Sequence, residues 1–170
     1  MLTSKEIINR MVISINDGKK LGQIEDIYLD LDMRQVVGVY LGSEGLIRRK
    51  DKAILRSNIQ VLGVDAWLVS SSDVVTPLNT IPDSATFTLV DNLRGRDIQT
   101  DGGTKLGVVD DVILDLDLQV LGFLLGKVYV QGPLAKKKVV VREAIMDTGG
   151  KDRAMIIDLV AAESGMIPTE

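Results

Sequence analysis

The chain repeats itself. Residues 18–32 read Gly-Lys-Lys-Leu-Gly-Gln-Ile-Glu-Asp-Ile-Tyr-Leu-Asp-Leu-Asp, and residues 103–117 read Gly-Thr-Lys-Leu-Gly-Val-Val-Asp-Asp-Val-Ile-Leu-Asp-Leu-Asp. The offset is 103 − 18 = 85, half of the 170 residues. Self-similarity on that period points to two copies of one small unit. Within the match, Lys20-Leu21-Gly22 meets Lys105-Leu106-Gly107 and Asp26 meets Asp111. Further on the copies slip by a residue: Gly38 falls on Gly122, Ala53-Ile54-Leu55-Arg56 on Val139-Val140-Val141-Arg142, and Ile59 on Ile145. The first slip lies around Met33-Arg34-Gln35. A turn tolerates such a change; a strand interior does not, because one residue would flip every later side chain to the opposite face.

The pattern between these landmarks is that of short strands. Met11 to Ile15, Leu21 to Leu31, Val36 to Leu41, Ala53 to Leu55, Ile59 to Leu62 and Ala66 to Val69 are rich in branched residues, with glycine and aspartate between them. Asp97 to Gln99, Leu106 to Leu116, Val120 to Val130, Lys138 to Ile145 and Ala154 to Leu159 repeat the order. This spacing predicts an all-β chain of small antiparallel barrels or sandwiches. Thr3 with Glu6 has capping-box spacing and predicts a short helical turn near the N-terminus. Gly38 and Gly122 inside strand patterns predict a sharp bend of the kind barrel closure needs. The expected organisation is a first repeat over residues 1–72, a linker over 73–89 containing Pro77 and Pro82, with Val74, Val75, Leu78 and Ile81 as the residues that would pack it against a barrel, and a second repeat over 90–170 with a tail that frays after Ala162.

Composition narrows the function classes. With 45% hydrophobic and 26% charged residues the chain reads as a globular protein. It has no cysteine, hence no disulfide framework or thiolate chemistry, and no histidine, the commonest general base and transition-metal ligand. No apolar run reaches the ~18–20 residues of a membrane helix. The first residues, Met-Leu-Thr-Ser-Lys-Glu, lack the basic-then-apolar order of a secretory signal. The expected location is therefore the cytoplasm, with attachment to the periphery of a membrane as an option. A net charge of −4 gives no global attraction to nucleic acid or anionic lipid.

A glycine, a basic pair, an apolar residue and a second glycine open the Gly18–Asp30 stretch. An apolar–acidic strand ending in aspartate follows, then a turn and Val36-Val37-Gly38-Val39. This order resembles the PRC-barrel family, as do Ile54 to Ile59 and Val64 to Val69. The second copy follows the same order, most clearly from Gly103 to Gly126. The family includes the cytoplasmic domain of the photosynthetic reaction-centre H subunit and the C-terminal domain of the ribosome maturation factor RimM. The resemblance implies two tandem PRC-type β-barrels and a protein-binding or assembly role without catalysis, cofactor or resident metal. The implied partner is a protein, acidic or membrane-associated, with homodimerisation as an option. An RNA- or ribosome-associated maturation role is the alternative.

Two kinds of side-chain cluster invite a chemical reading. Asp30, Asp32, Asp115 and Asp117 recur in both copies, with Asp26, Asp110 and Asp111 upstream. Such carboxylates can hold Ca²⁺ or Mg²⁺ or share a proton. In Leu-Asp-Leu-Asp, however, strand alternation turns the leucines inward and leaves the aspartates to solvent and to the turn. The basic runs Arg48-Arg49-Lys50-Asp51-Lys52 and Lys136-Lys137-Lys138 occupy corresponding connections in the two copies. Arg48, Arg49, Lys50, Lys52, Lys136, Lys137 and Lys138 are thus the candidate partner-binding residues, against the simpler reading of a solvated loop. With only 4% aromatic residues, base-stacking on single-stranded nucleic acid is a poor fit. Trp67 and Tyr40 read as core or rim residues.

Overall fold

Branched and aromatic side chains set most of the strands, and glycine or aspartate ends them. A computed structural model describes residues 1–168. Along the chain run β1 (Leu2–Thr3), α1 (Ser4–Ile7), β2 (Met11–Ser14), β3 (Lys20–Gln23), β4 (Asp26–Leu29), β5 (Val36–Glu44), β6 (Lys50–Leu55), β7 (Ile59–Leu62) and β8 (Ala66–Val69). They are followed by β9 (Thr76–Pro77), β10 (Thr88–Leu89), β11 (Asp97–Gln99), β12 (Lys105–Leu114), β13 (Val120–Val128), α2 (Pro133–Lys137), β14 (Val139–Val141), β15 (Ile145–Asp147), β16 (Met155–Ile157) and α3 (Leu159–Ser164). The protein is mostly β, as its patterning predicts.

Two compact units divide these elements. The N-terminal unit holds Lys5–Leu31 and Val36–Leu89; the C-terminal unit holds Met1–Ser4, Asp32–Gln35 and the chain from Val90 onward. In the C-terminal unit one sheet runs β14-β13-β12-β11-β16-β15, with β1 also paired to β12. In the N-terminal unit the same path, β6-β5-β4 and then β3-β2-β8-β7, is divided between two sheets. The division falls at Ile24–Glu25, between β3 and β4. The single strand expected over Leu21–Leu31 is therefore two strands. In β12 the corresponding place carries register shifts at Val108/Val109 and Val109/Asp111. An extra residue there bends the strand and lets it serve two faces.

Neither path closes into a hydrogen-bonded barrel among the described residues. Its two end strands are instead chain neighbours. A 3₁₀ turn over Arg56–Asn58 joins β6 to β7, and another over Arg142–Ala144 joins β14 to β15. A sheet whose ends are three residues apart must curl on itself, so the connection does what a ladder would do in a closed barrel. Trp67, Ile24, Ile27, Leu29 and Ile54 fill the core of the N-terminal unit. Phe123, Ile98, Leu106, Leu114 and Leu118 fill that of the C-terminal unit.

Gly38 and Gly122 mark close approach, and the register shifts beside each of them. A Cβ on Gly38 would lie 2.8 Å from the Ile54 carbonyl oxygen, and one on Gly122 2.4 Å from that of Val140. Only a residue without a side chain lets β5 and β13 lie this close to the next strand.

Two other expectations fail for local reasons. Residues 73–89 are not a linker: Thr76–Pro77 pairs with β6 and Thr88–Leu89 with β4, completing a five-stranded sheet. Pro77 is admissible because β9 is an edge strand. The helix α3, whose N-cap Asp158 accepts from the Ala161 amide at 3.1 Å, ends at Ser164, just inside the tail expected to fray after Ala162. Leu31 and Leu116 do not turn inward; they are 63% and 59% exposed. The strands stop at Leu29 and Leu114, and the chain tucks in Met33 and Leu118 instead, both at positive φ.

Candidate functional site

The hairpin of β5 and β6 carries the first basic run. Tyr40 pairs with Ala53, the register then shifts, and Ser43 faces Asp51 while Glu44 faces Lys50. Side chains fasten the two legs. The Tyr40 hydroxyl and Ser43 Oγ lie 2.9 Å apart, Ser43 Oγ donates to Asp51 at 2.5 Å, and Lys52 Nζ donates to Glu44 at 2.7 Å. Gly45, at φ +106°, then starts the tip, where a Cβ would meet the Arg48 carbonyl oxygen at 2.4 Å. The tip is therefore a tight turn that only glycine can open.

Lys52 and Asp51 hold the legs together, and Arg48, Arg49 and Lys50 do not. Those three are exposed and form no ion pair among the described residues. Beside them, Leu46 and Ile47 are 105% and 97% exposed. This apolar pair escaped the sequence reading. Its one signal was position, since two aliphatic residues between a glycine and a cationic run satisfy no strand alternation.

Two open clefts, each of about 450 Å³, flank the base of the hairpin. One places Arg48, Lys50 and Lys52 opposite Val75, Thr76 and Pro77. The other places Arg49 and Lys50 opposite Leu78, Asn79 and Ser84. The segment after β8 thus supplies the outer wall of both clefts, a role hidden by its linker-like composition.

The second basic run has a different fate. The connection between β13 and β14 folds as α2, anchored by the fully buried Leu134. Lys138 takes the left-handed conformation and its amide closes the helix on the Leu134 carbonyl at 2.8 Å. Lys137 Nζ donates to the Glu163 carbonyl and, at 2.7 Å, to that of Gly165, so it caps the end of α3. Lys136 is exposed. The two runs are equivalent in sequence place and unlike in structure.

The recurring aspartates separate into two groups. Asp115 Oδ1 accepts from the amides of Asp117 and Gln119, at 2.9 and 2.8 Å, and so builds its turn as expected. Asp32 and Asp117 are exposed. Asp26 and Asp111 are buried instead, contrary to a solvated role. Each accepts the following amide, from Ile27 or Val112, at 2.8 Å. Asp111 also accepts from Ser4 Oγ, with Arg94 Nη2 at 3.5 Å. Among the described residues no three acidic side chains converge on a metal-sized site.

A cleft of about 460 Å³ in the C-terminal unit is lined by Asp97, Gln99, Asp152 and Arg153. Its neighbouring charges are compensated: Arg153 pairs with Asp147 at 3.1 Å and Lys105 with Asp97 at 4.0 Å. The Gly149 amide and Arg153 hold the Asp147 carboxyl below the usual range.

Trp67 is fully buried in the core. Tyr40 sits at the edge of an aromatic cluster, its ring 6.2 Å from that of Tyr28 at 71°, with Phe87 on the other side of Tyr28. No helix is long and apolar enough to cross a membrane among the described residues.

Comparison with known families agrees with this architecture. Residues 1–73 match the family model of the PRC-barrel domain. The match stops before β9 and β10, which the N-terminal unit uses to complete its sheet. A search of curated proteins returned no match to the chain.

Proposed function

We propose that this chain is a non-catalytic docking module, built from tandem PRC-type units, that holds an acidic partner through the β5–β6 hairpin. One observation carries the reading: Arg48, Arg49 and Lys50 crowd a projecting tip between two clefts, with no internal ion pair among the described residues to neutralise them. Uncompensated charge on a convex element speeds and orients encounter with an oppositely charged surface. The fastened legs favour binding, because little ordering remains to oppose it.

The common strand order of the two units supports the tandem reading of the chain. The α2 connection supports a different role for the second unit, since Lys137 is engaged in capping α3.

The test is recovery of partners on immobilised full-length protein. Wild type is expected to retain acidic proteins that elute as salt rises, and R48E/R49E is expected to lose them. Equal recovery by both proteins overturns the proposal. Retention of ribosomes or RNA in their place would establish the maturation-factor alternative.

A further inference from the structure

The hairpin tip combines two features that a purely electrostatic dock does not need. Leu46 and Ile47 are adjacent, and each is as exposed as in an extended chain. They make no groove or face that a neighbouring element could cover. Exposed aliphatic residues are common singly; a fully exposed adjacent pair at a hairpin tip is not. Directly after them come three cations, Arg48, Arg49 and Lys50, and the clefts on either side of the hairpin base each add basic side chains beside a single acidic one, Asp51 or Glu44.

We propose that residues 45–50 form a membrane-surface anchor. Leu46 and Ile47 enter the boundary between headgroups and acyl chains of an anionic bilayer, and Arg48, Arg49 and Lys50 take the lipid phosphates. This rests on the docking reading of the same hairpin and names its partner. A convex apolar finger fits a soft medium that closes around it, whereas a protein partner would have to offer a preformed hole. The cations lie where an inserted finger would bring them to phosphate depth. The chain carries −4 overall although its tip is basic, so an anionic surface attracts the tip and repels the rest. Orientation follows from charge alone.

The experiment is flotation of the full chain with vesicles of phosphatidylcholine, alone or with about 30% phosphatidylglycerol, at about 0.1 M salt. Wild type is expected to float with the anionic vesicles only. L46S/I47S is expected to partition at least about tenfold more weakly, through lost apolar burial. R48E/R49E is expected to fall at least about 25-fold, at roughly fivefold per cation. Lys151→Glu, a change of an exposed lysine in the C-terminal unit, is expected to float like wild type. Unaltered emission from Trp67, the single tryptophan, verifies that each variant is folded.

Failure of wild type to float, or equal flotation of wild type and both tip variants, overturns the anchor. Two results separate this failure from that of the docking module. If vesicles are ignored while capture of an acidic protein still depends on Arg48 and Arg49, the lipid assignment falls and docking stands. If neither vesicles nor proteins respond to those arginines, both fall.

Discussion

At the scale of single residues, repeated sequence has become repeated bonding, and the departures are informative. Arg56 and Arg142 occupy the same 3₁₀ corner in the two units, and each donates through Nη1 to the carbonyl three residues on, Ile59 at 3.2 Å or Ile145 at 3.5 Å. Arg142 adds donations from Nε to the Asp32 and Met33 carbonyls at 3.1 Å, whereas Nε of Arg56 is buried without a partner. Tyr28 is a second such case. Its hydroxyl is buried with no hydrogen bond. Burial, reinforced by the negative charge of Asp51, pushes its ionisation far above the ordinary value. An unfolded tyrosine ionises near pH 10. Between there and the raised folded value the unfolded chain holds fewer protons than the folded one, so stability present below about pH 10 is lost as pH rises. Tyr28→Phe removes that loss along with an unsatisfied group. Its thermal midpoint at neutral pH is expected to equal or exceed that of wild type, and the gap should widen above about pH 10. A variant less stable than wild type at high pH would contradict this account of Tyr28.

At the scale of elements, what was legible was whatever the strand period controls. The duplicated segments, the order of the strands and the turn built by Asp115 follow from alternation and from aspartate's affinity for nearby amides. What stayed hidden was set by contacts between distant residues. Thr76–Pro77 and Thr88–Leu89 are too short to show a period, and they become strands only because β6 and β4 offer open edges. The inward aspartates, Asp26 and Asp111, are held by backbone amides that no pattern announces. Gly38 and Gly122 were visible as anomalies, and their cause lay in the neighbouring strand. That cause can be measured. Gly122→Ala forces a methyl group into the Val140 carbonyl and is expected to cost about 1–3 kcal/mol in chemical denaturation followed by far-ultraviolet circular dichroism, which reports both units. Gly38→Ala, with 0.4 Å more room (2.8 − 2.4), is expected to cost less. Equal stability of Gly122→Ala and wild type would show that β13 and β14 do not pack this closely.

At the scale of the whole molecule, repeated sequence has been followed by divergence of structure. Both halves of the sequence trace one strand path, yet the short strand ahead of the first path, Leu2–Thr3, belongs to the C-terminal unit, and the one ahead of the second, Thr88–Leu89, to the N-terminal unit. The two hairpin connections then part company. One is a glycine-opened tip with aliphatic residues and cations that form no ion pair among the described residues; the other is a helix whose lysine caps α3. The account therefore assigns surface docking to one connection alone. A chain without cysteine allows this to be read directly, because a single introduced thiol carries the label. The decisive measurement is the emission of an environment-sensitive dye attached through Leu46→Cys in one protein and Lys136→Cys in another, as vesicles containing phosphatidylglycerol are added. A blue shift at position 46 with none at position 136 is the predicted result; a shift at 136 alone, or at neither position, would contradict it.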